Sequence, residues 1–144
     1  DVAPSRGLGD VYKRQSLGMA SINRILVPVD GSVGSGRAVE KALFLAEKCG
    51  AALDFLYVAD AIGGENPGEV IFSEIWKNLP EGLTAEKHVA SGNVAHAILD
   101  TAEKCQAGMI VMGSRGLGIF RGAFLGSVSQ KVIEDAAIPV MVVK

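Results

Sequence analysis

Five glycines fall between Gly113 and Gly126 in GSRGLGIFRGAFLG, and a helical pattern begins at the next residue, Ser127. Glycines there allow positive φ, so that successive N–H groups converge on an anion. They also remove Cβ atoms that would hold a ligand away. The helix that follows brings unpaired N–H groups and the positive end of its dipole. Phosphate suits that environment, and Ser127 and Ser129 can each add a hydroxyl donor. The pattern predicts a phosphate cradle, with a merely flexible loop as the plainer alternative. It is not the G-x-G-x-x-G dinucleotide fingerprint, which follows a first strand. Nor is it a P-loop, because no lysine separates Gly126 from Ser127.

Other residues could contribute. Asp30 follows the apolar run RILVPV. It could bond a ribose or base, hold a metal through water, or serve as a turn residue capping the next helix. Arg115 could pair with a phosphate or stand solvated, and Arg121 reads as solvent-facing. His88 and His96 have no orienting partner visible in sequence, so both read as structural or surface histidines. Trp76 reads as packing for a short helix. Phosphoryl transfer needs a charge clamp and a group that positions the nucleophile. No cradle lysine and no carboxylate pair after a strand end supply these. Asp30 alone could hold Mg²⁺ only weakly. Binding with slow or no turnover is the expectation, and no catalytic residue is assigned.

The elements that must position these residues alternate along the chain. Arg24 to Val29 reads as a buried strand. Ser32 or Ser35 caps a helix to Cys49, with Ala38, Ala42, Leu45, Ala46 and Cys49 on its apolar stripe. Gly50 suits the left-handed position beyond it. Ala52 to Ala59 is a second strand, and Val70 to Leu79 a short helix before Pro80. Thr84 to Ala90 is a third strand. Asn93 caps a helix from Val94 to Cys105, whose stripe is Val94, Ala97, Ile98, Thr101, Ala102 and Cys105. Met109 to Gly113 is a fourth strand, Ser127 to Ala136 a helix, and IPVMVVK a fifth strand. Strands separated by helices predict an open, five-stranded parallel α/β sheet with helices on both faces. The glycine loop then lies at the carboxyl edge of the sheet, where such folds bind ligands.

Composition narrows the function classes. The chain has 144 residues, one domain's worth, with 49% hydrophobic residues and a net charge of −2. No basic block suggests a nucleic-acid partner, and no apolar run approaches the ~20 residues of a membrane span. Cys49 and Cys105 lack metal-binding spacing and read as reduced, partly buried thiols in a cytoplasmic protein. Before Met19, DVAPSRGLGDVYKRQSLG shows neither strand nor helix period. One codon choice for DVYKRQ matches a transposon-end sequencing adapter. Residues 1–18 are therefore expected to be a translated adapter or a disordered leader, and residues 19–144 a single domain.

The spacing Gly113-x2-Gly116-x9-Gly126-Ser127 resembles the nucleotide-binding signature of the universal stress protein family, G-x2-G-x9-G-S/T. ILVPVDGS at Ile25 to Ser32, IVMGSRG at Ile110 to Gly116, LGSVSQKVI and PVMVV are similar to that family's segments in the same order, so the likeness runs from Ile22 to Lys144. It implies the adenine nucleotide alpha hydrolase-like sheet, in strand order 3-2-1-4-5. It implies ATP, or AMP, ADP or a cyclic nucleotide, with Mg²⁺ accompanying it. Adenine and ribose would lie near Pro28, Val29, Asp30 and Val58, with Met112 touching through its backbone. Gly113, Arg115, Gly116, Gly126, Ser127, Val128 and Ser129 would line the phosphates. The resemblance also implies a homodimer along the last strand. Two departures stand out. The helix between the second and third strands is short, so that face of the sheet is expected to be thinly covered, and Gly108 replaces the family's usual Asp before the fourth strand. The function implied is a nucleotide-dependent stress-response module. Its alternatives are a slow ATPase and a nucleotide-free dimeric interaction protein.

Overall fold

A computed structural model describes residues 22–59, 67–114 and 125–144. The expected leader, residues 1–18, lies outside the described residues, as do Arg115, Gly116 and Arg121.

The chain runs β1 (Arg24–Pro28), α1 (Val33–Cys49), β2 (Ala52–Ala59), α2 (Gly68–Lys77), β3 (Ala85–Ser91), α3 (Val94–Lys104), β4 (Met109–Gly113), α4 (Ser127–Asp135) and β5 (Val140–Val143). The strands form one parallel sheet in the order β3-β2-β1-β4-β5. This is the expected order. It reverses between β1 and β4, which opens a crevice at their carboxyl ends.

Strand alternation sends β1 and β2 side chains to two separate cores. Ile25, Val27, Leu53, Phe55 and Val111 pack with Ala38, Ala42 and Ala46 of α1 and Phe72 and Ile75 of α2. Leu26, Leu56, Ile110 and Met112 pack with Ile98 and Ala102 of α3 and Val132 of α4. A fully buried side chain of this size contributes roughly 1.5–3 kcal/mol, so both layers hold the sheet. The alanines of α1 bring that helix close to the sheet, whereas α2 covers its share with rings. Trp76 meets Phe55 edge-on at 5.6 Å and Phe72 at 6.2 Å. The Lys87 ammonium lies 4.9 Å from the Trp76 ring centroid.

Several boundaries and stripes differ from the sequence reading. Helix α2 runs Gly68–Lys77 rather than 70–79: it starts directly after Pro67 and stops at Asn78, whose side-chain Nδ2 donates to the Glu74 carbonyl. Its ten residues leave Val89 on β3 55% exposed, so the cover is thin at that corner. In α3, Ala95 is buried and Val94 is exposed, because the first turn rotates Val94 toward solvent. Cys49, expected on the buried stripe of α1, is exposed at the last residue of that helix, while Cys105 is half-buried. Strand β3 is shifted one residue later, to Ala85–Ser91, and β5 shortens to Val140–Val143.

Candidate functional site

Helix α1 closes its own N-terminus. Ser32 is its cap, and the Ser32 hydroxyl accepts the Ser35 N–H at 3.1 Å. The Asp30 carboxylate accepts the Ser32 N–H at 2.9 Å, so Asp30 anchors the turn between β1 and α1. One carboxylate oxygen is thereby engaged and the other keeps its lone pairs. Gly31 turns the chain with φ +81°, and an added Cβ there would meet Ile71 of α2 at 3.3 Å. This turn is the floor on the β1 side of the crevice.

On the β4 side, Gly113 is a glycine for a packing reason. A Cβ at Gly113 would lie 2.9 Å from the backbone carbon and oxygen of Gly34, so the first turn of α1 and the end of β4 touch backbone to backbone. That contact brings the Asp30 turn and the start of the glycine loop together. The next residue, Ser114, is a junction. Its N–H donates to the Val143 carbonyl at 2.9 Å, and its carbonyl accepts the Gly126 N–H at 2.9 Å. The two ends of the intervening loop are therefore pinned, although residues 115–124 lie outside the described residues.

Helix α4 starts at that pin. Its cap is Gly126, with φ −65° and ψ 159°, and no side chain caps the helix. The positive φ that would have made a substitution at Gly126 strained is absent; the residue sits in ordinary extended geometry. The first-turn N–H groups of Ser127, Val128 and Ser129 have no intrahelical acceptor, and the first turn carries no acid. Ser127 is exposed. Ser129 is buried, and its hydroxyl donates to the Gly113 carbonyl at 3.0 Å with the Ser114 carbonyl at 3.3 Å. In this arrangement Ser129 clamps the loop entrance, and its one hydroxyl proton points to the chain rather than outward.

Pro28 ends β1, and the Val29 N–H donates to the Leu56 carbonyl at 2.8 Å, carrying the ladder to the carboxyl edge. Val58, two residues past Leu56, lies on the same face of the sheet as Met112. Pro28, Val29, Asp30, Val58, Met112, Gly113, Gly126, Ser127, Val128 and Ser129 thus sit at the carboxyl ends of β1, β2 and β4 and the start of α4. Arg115 and Gly116 are outside the described residues. The edge presents backbone donors at one end and apolar wall at the other, which suits a ligand with a phosphate and a flat, largely apolar base.

A second polar centre lies below this edge, and sequence reading missed it. Asp54 of β2 is fully buried. Arg24 Nε donates to one of its oxygens at 2.9 Å and Arg24 Nη2 to the other at 2.8 Å. His88 Nε2 lies 2.7 Å from the second oxygen, and Arg24 also reaches Glu86 at 3.2 Å. His88 therefore has the orienting partner that the sequence did not reveal. Burial pushes the Asp54 carboxyl up, but the hydrogen bonds from Arg24 and His88 together hold it below the usual carboxylate range. Asp54, Glu86 and His88 are close enough to surround a cation. The Arg24 guanidinium already stands between the two carboxylates as the resident positive charge, so the set fits a structural ion-pair network. Burial, then the Asp54 charge, pushes the neighbouring Cys105 thiol up, which keeps it protonated and inert.

The comparisons with known proteins agree with this fold. The family model described as "Universal stress protein family" matches residues 21–74 and 77–144. "Universal stress protein YxiE" of Bacillus subtilis is 32% identical over 146 residues, covering 85% of this chain and 99% of that protein. A solved structure of a universal stress protein in complex with cAMP is 27% identical, with a TM-score of 0.71, over 85% of this chain and 96% of that one. The structure of a universal stress protein from Archaeoglobus fulgidus in complex with dAMP is 26% identical, with a TM-score of 0.60, over 86% and 99% of the two chains. No described helix is long and apolar enough to cross a membrane.

Proposed function

This chain belongs to the universal stress protein family, and from that premise we propose that it is a binding module for an adenine nucleotide, ATP foremost. The observation that carries the reading is the start of α4. No side chain caps it, its own first turn carries no acid, and the Ser114–Gly126 pin delivers it beside the Asp30 turn at the switch point. Its N–H groups and dipole favour phosphate. The relatives solved with cAMP and dAMP carry ligands of the same chemical class.

In this reading Gly113, Gly126, Ser127, Val128 and Ser129, with Arg115 and Gly116, surround the phosphates. Pro28, Val29, Asp30, Val58 and the Met112 backbone hold ribose and base. Asp30 already gives one oxygen to the Ser32 N–H, so Mg²⁺ would arrive on the phosphates rather than on a protein cage. Mass spectrometry of the nucleotide that copurifies with the protein, followed by calorimetric titration of that nucleotide, tests the proposal. Absence of any bound or titratable adenine nucleotide rejects it.

The module acts as a cytoplasmic stress-response protein through partners, and as a homodimer. Strand β5 is a sheet edge of apolar residues. The Pro139 and Val143 carbonyls point inward to β4, so the backbone groups of Val140 and Val142 face outward by alternation. Such an edge invites a second chain, and two-fold pairing is the commonest closed arrangement. Light scattering at micromolar concentration should give the dimer mass, and Val142→Lys should reduce it to the monomer. The alternative of an ATP-hydrolysing enzyme predicts turnover near the enzymatic median of about 10 s⁻¹. The binding reading expects a steady-state rate far below that, because no lysine enters the cradle between Gly126 and Ser127.

A further inference from the structure

We infer that Ser35 is a positioning residue for the proposed site: its buried hydroxyl sets the aim of the Asp30 carboxylate, and through it the preference for a nucleotide whose sugar carries free hydroxyls. The inference rests on the adenine-nucleotide reading above and adds a residue that acts on the site through Asp30.

Position 35 breaks the pattern of its helix. The buried stripe of α1 is Ser35, Ala38, Ala42 and Ala46. A methyl at position 35 would continue that stripe, and a buried hydroxyl costs free energy unless it is bonded. The Ser35 hydroxyl directs its bonds to the turn ahead of the helix. It donates to the Ser32 carbonyl at 3.2 Å and accepts the Asp30 N–H at 3.4 Å. The Ser32 carbonyl also accepts the Gly36 N–H at 3.0 Å, so the first helical bond forms without the hydroxyl. What the hydroxyl adds is a tie between the two ends of the Asp30–Ser32 turn.

That tie completes the hold on Asp30. Its backbone N–H is fixed by Ser35, and one of its carboxylate oxygens by the Ser32 N–H at 2.9 Å. The direction of the other oxygen is then set. The same turn of α1 lies against the end of β4, where a Cβ on Gly113 would come 3.3 Å from the Ser35 nitrogen. Ser35 therefore stands between the Asp30 carboxylate and the start of the glycine loop, and fixes one relative to the other. A carboxylate held by such supporting bonds suits a donor at a fixed distance from a phosphate. Sugar hydroxyls are such donors.

The test is calorimetric titration of ATP and of 2′,3′-dideoxy-ATP, which keeps base and phosphates but has no sugar hydroxyl. The parent should prefer ATP by about 10- to 100-fold, as a hydrogen bond to a charged group warrants. Ser35→Ala should lower ATP affinity about 2- to 12-fold, the range for loss of an ordinary hydrogen bond. It should leave dideoxy-ATP affinity within about twofold of the parent, as for an independent site. In an Asp30→Ala background, Ser35→Ala should cost ATP nothing further. Where Ser35→Ala fails to fold, Ser35→Cys takes its place, filling the same space with a poor hydrogen-bonding group. An equal loss for both nucleotides, or a loss for neither, overturns the positioning role and leaves the nucleotide reading standing. So does a parent that binds the two nucleotides equally well. A parent that binds neither overturns both readings.

Discussion

The carboxyl edge of the sheet and the centre around Asp54 handle polarity in opposite ways. At the edge the work falls to backbone: the Ser114 peptide groups, the Gly126 N–H and the open first turn of α4. Around Asp54 it falls to side chains, and the buried carboxylate has both oxygens occupied by Arg24 and His88. The centre with the perturbed carboxyl is the one that is closed. A buried charge must be fully partnered to be tolerated, whereas backbone donors at a helix start can wait for a ligand because water serves them meanwhile. Perturbed ionisation marks a structural network in this protein, and an uncapped helix start marks the proposed site.

That contrast can be broken most directly at Gly126. Because φ is −65°, valine fits the backbone, and its side chain alone intrudes on the ligand. Gly126→Val should abolish ATP binding in calorimetry while circular dichroism and the denaturation midpoint stay close to the parent. Undiminished ATP affinity in that folded variant would show that the cradle lies elsewhere. The complementary change is Asp54→Ala, which leaves Arg24 without its main partner. It should cost about 3–5 kcal/mol of stability, as removal of one member of a buried pair does, measured by urea unfolding. ATP affinity should not move in conditions where the variant is folded. A loss of affinity without loss of stability would erase the distinction between the two centres.

Smaller effects sharpen the comparison. Ser127→Ala removes an exposed hydroxyl and keeps the backbone donors, so ATP binding should weaken by on the order of 1.5–3 kcal/mol if that hydroxyl bonds a charged phosphate. The smallest expected effect is on acid stability. Asp54 titrates lower in the folded protein than when unfolded. Its contribution is therefore complete above the unfolded value of about 3.9 and fades as pH falls toward the folded one. Asp54→Asn should flatten the dependence of unfolding free energy on pH below about 4. An equally steep acid limb in the variant would assign that dependence to other carboxylates.

The parts legible in the sequence were those governed by local pattern. Branched apolar runs marked β1 and β4, Ser32 and Asn93 marked helix starts, and Gly50 marked the end of α1, where it takes φ 68°. The loop-to-helix passage at Gly126–Ser127 was legible for the same reason. The Asp54 centre was not, because it depends on register across three strands: Arg24, Asp54 and His88 come together only once β1, β2 and β3 are aligned. A signal existed in the lone acid within the apolar run ALDFLYVA. A carboxylate in a doubly covered strand requires a cation, and Arg24 heads the neighbouring strand. The need for glycine at Gly113 was equally hidden, since its reason is the backbone of Gly34 in another element. Val94 failed for a finer cause: a stripe drawn from residue spacing does not say which side of the first turn meets the sheet.

The pin between Ser114 and Gly126 also bears on how such a protein can diversify. Its closing hydrogen bond belongs to the scaffold and joins Ser114 to Gly126 across the eleven positions that separate them. Lengthening a closed loop costs only about 0.6 kcal/mol per doubling, and substitutions there leave β4, β5 and α4 joined. Descendants could therefore trade one phosphoryl ligand for another, or surrender the ligand altogether, by mutation within that segment while inheriting the sheet unchanged.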